Sequence, residues 1–253
     1  EYGIPSESAS LILPSVTIYK RIIEELEAEA IYLPGTSLSD GIAYDYAQKM
    51  RYIRPEHQFS ADIIAAARII AKRYQGNKGH IRNLENLALP IFDKMKKISG
   101  LGERERLLLQ IAVILHGCGK YINLSDAAQC SYSIIMATEI IGLSAAERRI
   151  IANVVRYNTM DFTLEDVLEQ QLRQEDYLII VKLVAILRVA NALDRSHKQK
   201  FEQVRLTLKD AQLEIVVDTS EDITLEKGLF PPKADYFEEV FHVRPLIRKK
   251  RNL

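Results

Sequence analysis

The sequence is dominated by successive stretches in which apolar side chains recur every three or four residues, as they do along one face of a helix. Ser144 and Glu147 form a helix-starting capping box, and Gly142 stands just after the preceding apolar stretch, where helices commonly end. Because helices joined by short loops pack beside one another, this pattern predicts a mainly α protein built around a helical bundle. The predicted helices are residues 58–74, 78–97, 103–116, 128–141, 145–157, 163–170 and 176–194.

The segment that precedes the bundle has a mixed pattern. Pro14 is tolerated at a helix start, and apolar residues at helical spacing follow it, which predicts a helix over residues 14–29. Residues 30–33 are predicted to form a strand, because a Pro-Gly turn comes directly after them. Ser37 with Asp40 resembles a second helix-starting box. The sequence therefore predicts a short N-terminal α/β segment.

After residue 200 the apolar spacing changes from a helical period to a period of two. Alternating runs at 204–208 and 213–217 flank a polar turn, which predicts a β-hairpin. A charged and aromatic helix is predicted at 233–241, followed by an edge strand that contains Pro245. We expect the basic tail at 248–251 to be flexible. The predicted domains are residues 1–52, 53–200 and 201–253.

Composition excludes several classes of partner. Lys plus Arg and Asp plus Glu both number 34, so no net field draws the chain to nucleic acid or to anionic lipid. The most apolar stretch, Leu178–Leu193, is interrupted by Lys182 and Arg188, which are costly inside a bilayer. The two cysteines, Cys118 and Cys130, are too few for a disulfide framework. We expect a cytoplasmic protein that binds neither nucleic acid nor membranes.

Three residues of the helical region have side chains that suit a divalent metal: His80, His116 and Asp194. Their order resembles that of the HD-domain metal phosphohydrolases, in which a His-Asp doublet and two flanking residues hold the metal. Gly117 follows His116, so the aspartate of the doublet is missing here. The resemblance therefore implies a degenerate metal site.

An alternative interpretation of the same residues needs no metal, and we favour it. His80 and His116 are then partly buried histidines that pair with backbone or carboxylate groups. Asp194 then caps a helix end or pairs with Arg195.

A basic cluster near the end of the last predicted bundle helix is a candidate phosphate site. It consists of Arg188, Arg195, His197, Lys198 and Lys200. Guanidinium and ammonium groups gathered at the end of a helix are suited to binding a chain of phosphates. The alternative is a solvated surface patch that compensates nearby acids.

Several segments of the chain resemble the exopolyphosphatase and guanosine pentaphosphate phosphohydrolase (Ppx/GppA) family. The most specific is Leu187–Arg195, which reads Leu-Arg-Val-Ala-Asn-Ala-Leu-Asp-Arg. Leu115–Gly119, Ser131-Tyr132 and Leu143–Glu147 are similar to further landmarks of that family's helical C-terminal region. The opening residues and Ser37–Gly41 look like the last part of an actin-like phosphatase lobe.

The resemblance implies a fold and a role. The fold is an HD-domain-like helical bundle with a short N-terminal α/β segment and a small C-terminal module of a β-hairpin plus a helix. The role is binding of polyphosphate or a guanosine pentaphosphate-like ligand, with dimerisation to a homodimer. The implied phosphate contacts are Arg188, Arg195, Lys198 and Lys200.

The resemblance also implies where catalysis takes place. Family members carry the catalytic glutamate and the glycine-rich phosphate loops in an N-terminal actin-like domain, so we expect no catalytic residues and no activity by that mechanism in these residues alone. Two other functions remain open. One is a metal-dependent HD-type phosphohydrolase with His80, His116 and Asp194 as ligands. The other is an interaction scaffold that uses Tyr236, Phe237 and Phe241.

Overall fold

The structure is a computed structural model that describes residues 6–32, 35–50, 52–53, 59–201 and 204–250. Over these residues the predicted mainly α fold is confirmed, with eleven α-helices and one three-stranded sheet. The chain forms two compact units, residues 1–57 and 58–253. The division of the second unit at residue 200 stays a prediction. Among the described residues, no helix is both long enough and apolar enough to cross a membrane.

The first unit contains helices α1 (Ser6–Leu26) and α2 (Leu38–Lys49). Helix α1 begins before Pro14, so the predicted start at that residue was wrong, and the helix accommodates the proline in its interior. Residues 30–32 do not form the predicted strand, and the rest of that run lies outside the described residues. The predicted capping box is confirmed, since Asp40 accepts a hydrogen bond from the backbone N–H of Ser37 at 2.8 Å.

The second unit is built from helices close to the predicted bounds. The helices are α3 (Phe59–Arg73), α4 (Lys78–Ser99), α5 (Glu103–Leu115), α6 (Ala127–Ala137), α7 (Ala145–Tyr157), α8 (Leu164–Glu169) and α9 (Gln174–Leu193). A 3-10 turn at Cys118–Tyr121, which the sequence pattern did not predict, precedes α6. Helix α6 ends four residues before the predicted end at 141, because Thr138 already adopts an extended backbone.

Helix α9 lies at the centre of this unit. Its residues 183–190 are all buried, which explains why the sequence there is apolar on every side rather than along one stripe. It packs against α4, α5 and α7. The groups that follow the end of α9 are consequently held against a closely packed core.

The C-terminal part of the unit contains the predicted hairpin, formed by β1 (Val204–Lys209) and β2 (Gln212–Val217). Strand β3 (Arg244–Lys249) lies parallel to β2 at the edge of the sheet, where Pro245 is tolerated. Helix α10 (Thr224–Leu229) was not predicted, and α11 is Pro231–Phe241.

The basic tail is more ordered than we expected. Arg248 lies in β3 and its Nε is 2.8 Å from a carboxylate oxygen of Glu214. Lys250 pairs with Asp218 at 2.6 Å. The expectation of a flexible tail was therefore wrong for residues 248–250, because sheet pairing holds them, and Arg251 lies outside the described residues.

Candidate functional site

Three histidines from distant parts of the sequence meet at one end of the bundle. His80 lies in the first turn of α4, where its backbone N–H donates a hydrogen bond to the side-chain oxygen of Asn77, the N-cap residue, at 3.1 Å. His116 is the C-cap of α5, and His197 lies just after α9. The rings of His80 and His197 stack with centroids 3.7 Å apart, and the His116 ring is 5.1 Å from His80.

Asp194 holds this cluster together through both of its oxygens. The Nδ1 of His80 lies 2.6 Å from Oδ2, and the backbone N–H of Gln199 donates to Oδ1 at 2.9 Å. Burial alone would raise the pKa of Asp194, but the hydrogen bonds from His80 and Gln199 help to bring that pKa below its ordinary value. An ionised Asp194 accepts both bonds, so His80 carries its proton on Nδ1.

The other two histidines are neutral near pH 7. The Nδ1 of His116 lies 2.7 Å from the carbonyl oxygen of Val113, to which it donates, so Nε2 carries the lone pair. Burial, together with the adjacent His80, lowers the pKa of His116 to about 3. The same two causes lower the pKa of His197 to about 4.

The cluster borders a cavity of about 270 Å³, which we call the histidine cavity. Two tyrosines on its wall, Tyr74 and Tyr121, meet edge to face with ring centroids 6.0 Å apart. Lys120, in the 3-10 turn, also lines it. Burial and, to a smaller extent, the charge of Arg195 lower the pKa of Lys120. The cavity is thus lined by aromatic and imidazole rings together with amide, glycine and apolar residues, and Lys120 is the one cation among the described residues of this lining.

The cluster does not form a complete metal centre, although its hydrogen bonds leave ligand atoms free. His80 donates Nδ1 to Asp194 and His116 donates Nδ1 to the carbonyl oxygen of Val113, so the Nε2 of each imidazole carries a lone pair. Burial raises the pKa of the Cys118 thiol to about 11. In the part of the chain that the structure describes, no group of three or more His, Cys, Asp or Glu side chains is arranged to hold a metal ion. The predicted degenerate metal site therefore stays a prediction.

A second cavity, of about 330 Å³, lies beside the end of α9 and is bordered by the start of α11. Three cationic side chains line it, Arg188, Arg195 and Lys233, and we call it the cationic pocket. Among the residues described, none of the three has a carboxylate within ion-pair distance. Arg195 is exposed, whereas Arg188 is only 6% exposed.

Arg188 is fixed in place by its surroundings. Its Nε donates to the carbonyl oxygen of Tyr157 at 2.9 Å, Nη2 donates to that of Met160, and the guanidinium lies 4.3 Å from the ring centre of Tyr236. Burial lowers the pKa of Arg188. Burial and the charges of Arg188 and Arg195 likewise lower the pKa of Lys233. The pocket therefore concentrates positive charge that nearby acids neutralise only partly.

The four residues that the sequence analysis named as phosphate contacts do not all line the same cavity. Arg188 and Arg195 share the cationic pocket. The Nζ of Lys200 instead lies 3.0 Å from the buried carboxylate of Glu226, and it also donates to the carbonyl oxygen of Asp222. Lys198 is exposed and lines neither cavity.

Two cations of these cavities, Lys233 and Lys120, were missed by sequence reasoning as parts of a site. Lys233 lies 45 positions after Arg188, and only the packing of α11 against α9 brings the two together. A lysine just after the Pro-Pro start of a helix was the available signal. Lys120 follows the Gly-Cys-Gly run, and its 3-10 turn was not predicted.

The part of the chain that builds the helical unit matches a known phosphatase family. Residues 64–230, about two thirds of the chain, match the family model described as Ppx/GppA phosphatase, domain III. The protein is therefore a member of the Ppx/GppA family, as the sequence resemblance indicated.

Curated relatives carry a more specific name. The chain is 26% identical over 192 residues to a guanosine-5'-triphosphate,3'-diphosphate pyrophosphatase of Aeromonas hydrophila, a match that covers 74% of this chain and 36% of the relative. It is 23% identical over 154 residues to the protein of the same name from Photobacterium profundum, covering 61% of this chain and 30% of that relative. The chain thus spans about a third of the length of the relatives that it matches.

Proposed function

We propose that this chain is the ligand-binding part of a Ppx/GppA-type phosphohydrolase, which holds polyphosphate or a phosphorylated nucleotide in the cationic pocket. The observation that carries this proposal is the set of three cations around one cavity, Arg188, Arg195 and Lys233, without a carboxylate partner among the described residues. Protein cations that are held close together without acids are stabilised by a bound anion.

The geometry of Arg188 supports the proposal. Two of its nitrogens and one face of its guanidinium are already engaged by protein groups, so the side chain loses little freedom when a ligand binds. Arg195 and Lys233 add two further cations to the lining of the pocket. Asp161 acts electrostatically on Arg188 and Lys233, but it forms no ion pair with either among the described residues.

Under this proposal the bond-breaking step takes place in another domain. The cationic pocket is lined by cations, amides and apolar groups, and it has no carboxylate to act as a base or nucleophile. The resemblance to the family implies that an actin-like domain supplies that chemistry. The names of the relatives suggest a guanosine phosphate as the substrate. The predicted homodimer stays a prediction, which sedimentation equilibrium measures directly.

The test is calorimetric titration of the chain with inorganic tripolyphosphate at several salt concentrations. Arg195→Ala and Lys233→Ala should each weaken binding about ten-fold, the effect of losing one charge-assisted hydrogen bond, and should reduce its salt dependence. Lys198→Ala is the matched control, because it removes the same charge from an exposed position outside the pocket. Equal weakening by all three variants would mean diffuse charge attraction rather than a site.

The same preparation distinguishes this function from a metal-dependent hydrolase. We expect elemental analysis to find no stoichiometric transition metal and a phosphate-release assay to find no turnover of tripolyphosphate. One tightly bound metal per chain together with phosphate release that His116→Ala abolishes would overturn the binding-only role.

A further inference from the structure

A third cavity, of about 500 Å³, is lined by residues of α3 and α4, and we call it the α3–α4 groove. Both helices pack against α5, and Ile114 of α5 contributes to the lining. The groove is larger than the histidine cavity and the cationic pocket, and its volume lies within the roughly 300–1,000 Å³ that is usual for small-molecule sites. It therefore has room for a small organic molecule.

The inner wall of the groove is apolar. Ala71, Ile81 and Ile114 line it and are buried against the core. Ile69 lines the same groove but is 63% exposed. A ligand with an apolar body would remove the side chain of Ile69 from water, and burial of apolar surface stabilises such a complex.

An ion pair joins the two helices across the groove. The Nη2 of Arg68 on α3 donates to both carboxylate oxygens of Glu85 on α4, at 2.9 Å and 3.0 Å. The Nε2 of Gln110 on α5 donates to Oε1 of the same carboxylate at 2.8 Å. Glu85 is the one acid among the described residues of this lining, and protein groups already occupy it.

Three further cations line the groove, namely Lys72, Lys78 and Arg82. In the part of the chain that the structure describes, none of them has a carboxylate within ion-pair distance. Lys72 lies in the last turn of α3 and Lys78 is the first residue of α4, so these charges gather toward the loop that connects the helices. An anionic group would be stabilised there by charge-assisted hydrogen bonds.

The length of the groove limits the size of the ligand. Lys78 and Glu85 lie seven residues apart on α4, which corresponds to about 10 Å along the helix. The pair of Arg68 with Glu85 bridges the helices beyond that distance. The groove is therefore suited to a short molecule with an anionic head near the connecting loop and an apolar tail directed toward Ile69.

We propose that the α3–α4 groove binds a small organic carboxylate with an aliphatic chain. The carboxylate contacts Lys72, Lys78 and Arg82, and the chain lies against Ile69 and Ile81. The groove shares no lining residue with the cationic pocket, so this site is additional to the proposed phosphate site. Polyphosphate does not match its chemistry, because it has no apolar part to cover the inner wall.

The experiment is calorimetric titration of the chain with octanoate, butyrate and inorganic tripolyphosphate at physiological salt. We expect octanoate to bind at least ten-fold more tightly than butyrate, which has the same head and a shorter chain, because each buried methylene strengthens binding about four-fold. A saturating concentration of tripolyphosphate should not displace octanoate, since the two ligands occupy separate sites.

Two pairs of variants locate the ligand. Ile69→Ser should weaken octanoate binding about ten-fold, whereas Ile122→Ser is the matched control, because Ile122 is 59% exposed and lies outside the groove. Lys72→Ala should weaken the binding of both acids about ten-fold. Its control is Lys97→Ala, which removes an exposed lysine from the last turn of α4, outside the groove. All four side chains are exposed, so truncation is compatible with folding, which a thermal melt verifies.

The outcomes separate this inference from the proposed function. Equal affinities for octanoate and butyrate, or octanoate binding that Ile69→Ser leaves unchanged, would overturn the inference, because the aliphatic chain would then not lie in the groove. Displacement of octanoate by tripolyphosphate, with octanoate binding weakened by Arg195→Ala, would put octanoate in the cationic pocket and overturn the inference as well. Absence of octanoate binding would also overturn it and leave the phosphate-binding proposal to stand or fall on tripolyphosphate alone.

Discussion

The Nδ1 of His80 lies 2.6 Å from the Oδ2 of Asp194, although the two residues are 114 positions apart in the sequence. Both side chains are almost fully buried. The bond joins the first turn of α4 to the end of α9, and Asp194 also holds the loop that carries Arg195 and His197. This one pair therefore connects the stability of the bundle to the shape of the candidate site.

Replacement of Asp194 by alanine is expected to lower the free energy of unfolding by about 1–3 kcal/mol or more, because it leaves the Nδ1 of His80 and the backbone N–H of Gln199 without their acceptor. Urea denaturation measures this difference. Asp218→Ala is the control, since it removes an exposed pair with Lys250 and should cost less than about 1 kcal/mol. Similar losses for both variants would show that the buried bond contributes nothing beyond a surface ion pair.

Acid should destabilise the fold through His116. Its pKa is lowered by burial to about 3 in the folded protein, whereas an unfolded histidine takes up a proton near pH 6.5. Between these values the unfolded state binds more protons, so the free energy of unfolding falls as the pH is lowered, by about 1.4 kcal/mol per pH unit well below pH 6.5. The stabilising contribution of neutral His116 is therefore fully present above about pH 6.5.

The measurement is a series of urea denaturation curves from pH 7.5 to pH 4.5. His116→Asn should reduce the slope and leave the part that His197 contributes through its own lowered pKa, because asparagine can still donate to Val113 but does not titrate. His242→Asn is the matched control, since His242 is exposed and asparagine tolerates its left-handed backbone at φ 54°. An unchanged slope in His116→Asn would contradict the assignment.

The sequence predicted the bundle well because its helices carry local signals. Apolar spacing and the capping box at Ser144 located α7 from residues that lie within a few positions of each other. Helix α10 carries no such signal, since it is six residues long and Ile223 provides no side-chain cap. Helix α1 was shortened in the prediction because Pro14 is usually a boundary, yet here the helix continues through it.

The candidate site was harder to predict, because packing rather than sequence assembles it. One interpretation of the sequence paired the histidines with backbone and carboxylate groups. The contacts of His80 with Asp194 and of His116 with the carbonyl of Val113 agree with it. The pairing of Lys200 with Glu226 depends on α10, which was not predicted, so no local signal indicated that Lys200 has a carboxylate partner. Lys233 reaches Arg188 only through the contact between α11 and α9.

We expect that Gly119 cannot be replaced by a residue with a side chain without loss of stability, whereas Gly117 can. A Cβ on Gly119 would lie 2.1 Å from the carbonyl oxygen of Ala127 and 2.4 Å from the backbone nitrogen of Ser131, so α6 would have to move. We expect Gly119→Ala to cost about 1–3 kcal/mol or more. Gly117 has no atom within 4 Å of such a Cβ and a φ of −102°, so Gly117→Ala should change stability by less than about 0.5 kcal/mol. Thermal melting of the two variants makes the comparison, and equal melting temperatures would contradict the close approach of the 3-10 turn to α6.

Lys200 should act in stability rather than in ligand binding, although both it and Lys198 were candidates for phosphate contact. Glu226 is fully buried, and Lys200 is its ion-pair partner at 3.0 Å. Lys200→Ala leaves that carboxylate unpaired and is expected to lower the free energy of unfolding by about 3–5 kcal/mol. Lys198→Ala removes the same charge from the surface and should cost less than about 0.5 kcal/mol.

Urea denaturation gives the stabilities of the two lysine variants, and titration with tripolyphosphate at a temperature where both are folded gives their affinities. We expect both folded variants to bind tripolyphosphate like the unmodified chain, because neither lysine lines the cationic pocket. A Lys200→Ala protein of full stability with ten-fold weaker binding would instead make Lys200 a phosphate contact, and Glu226 would then need another partner in the bound state.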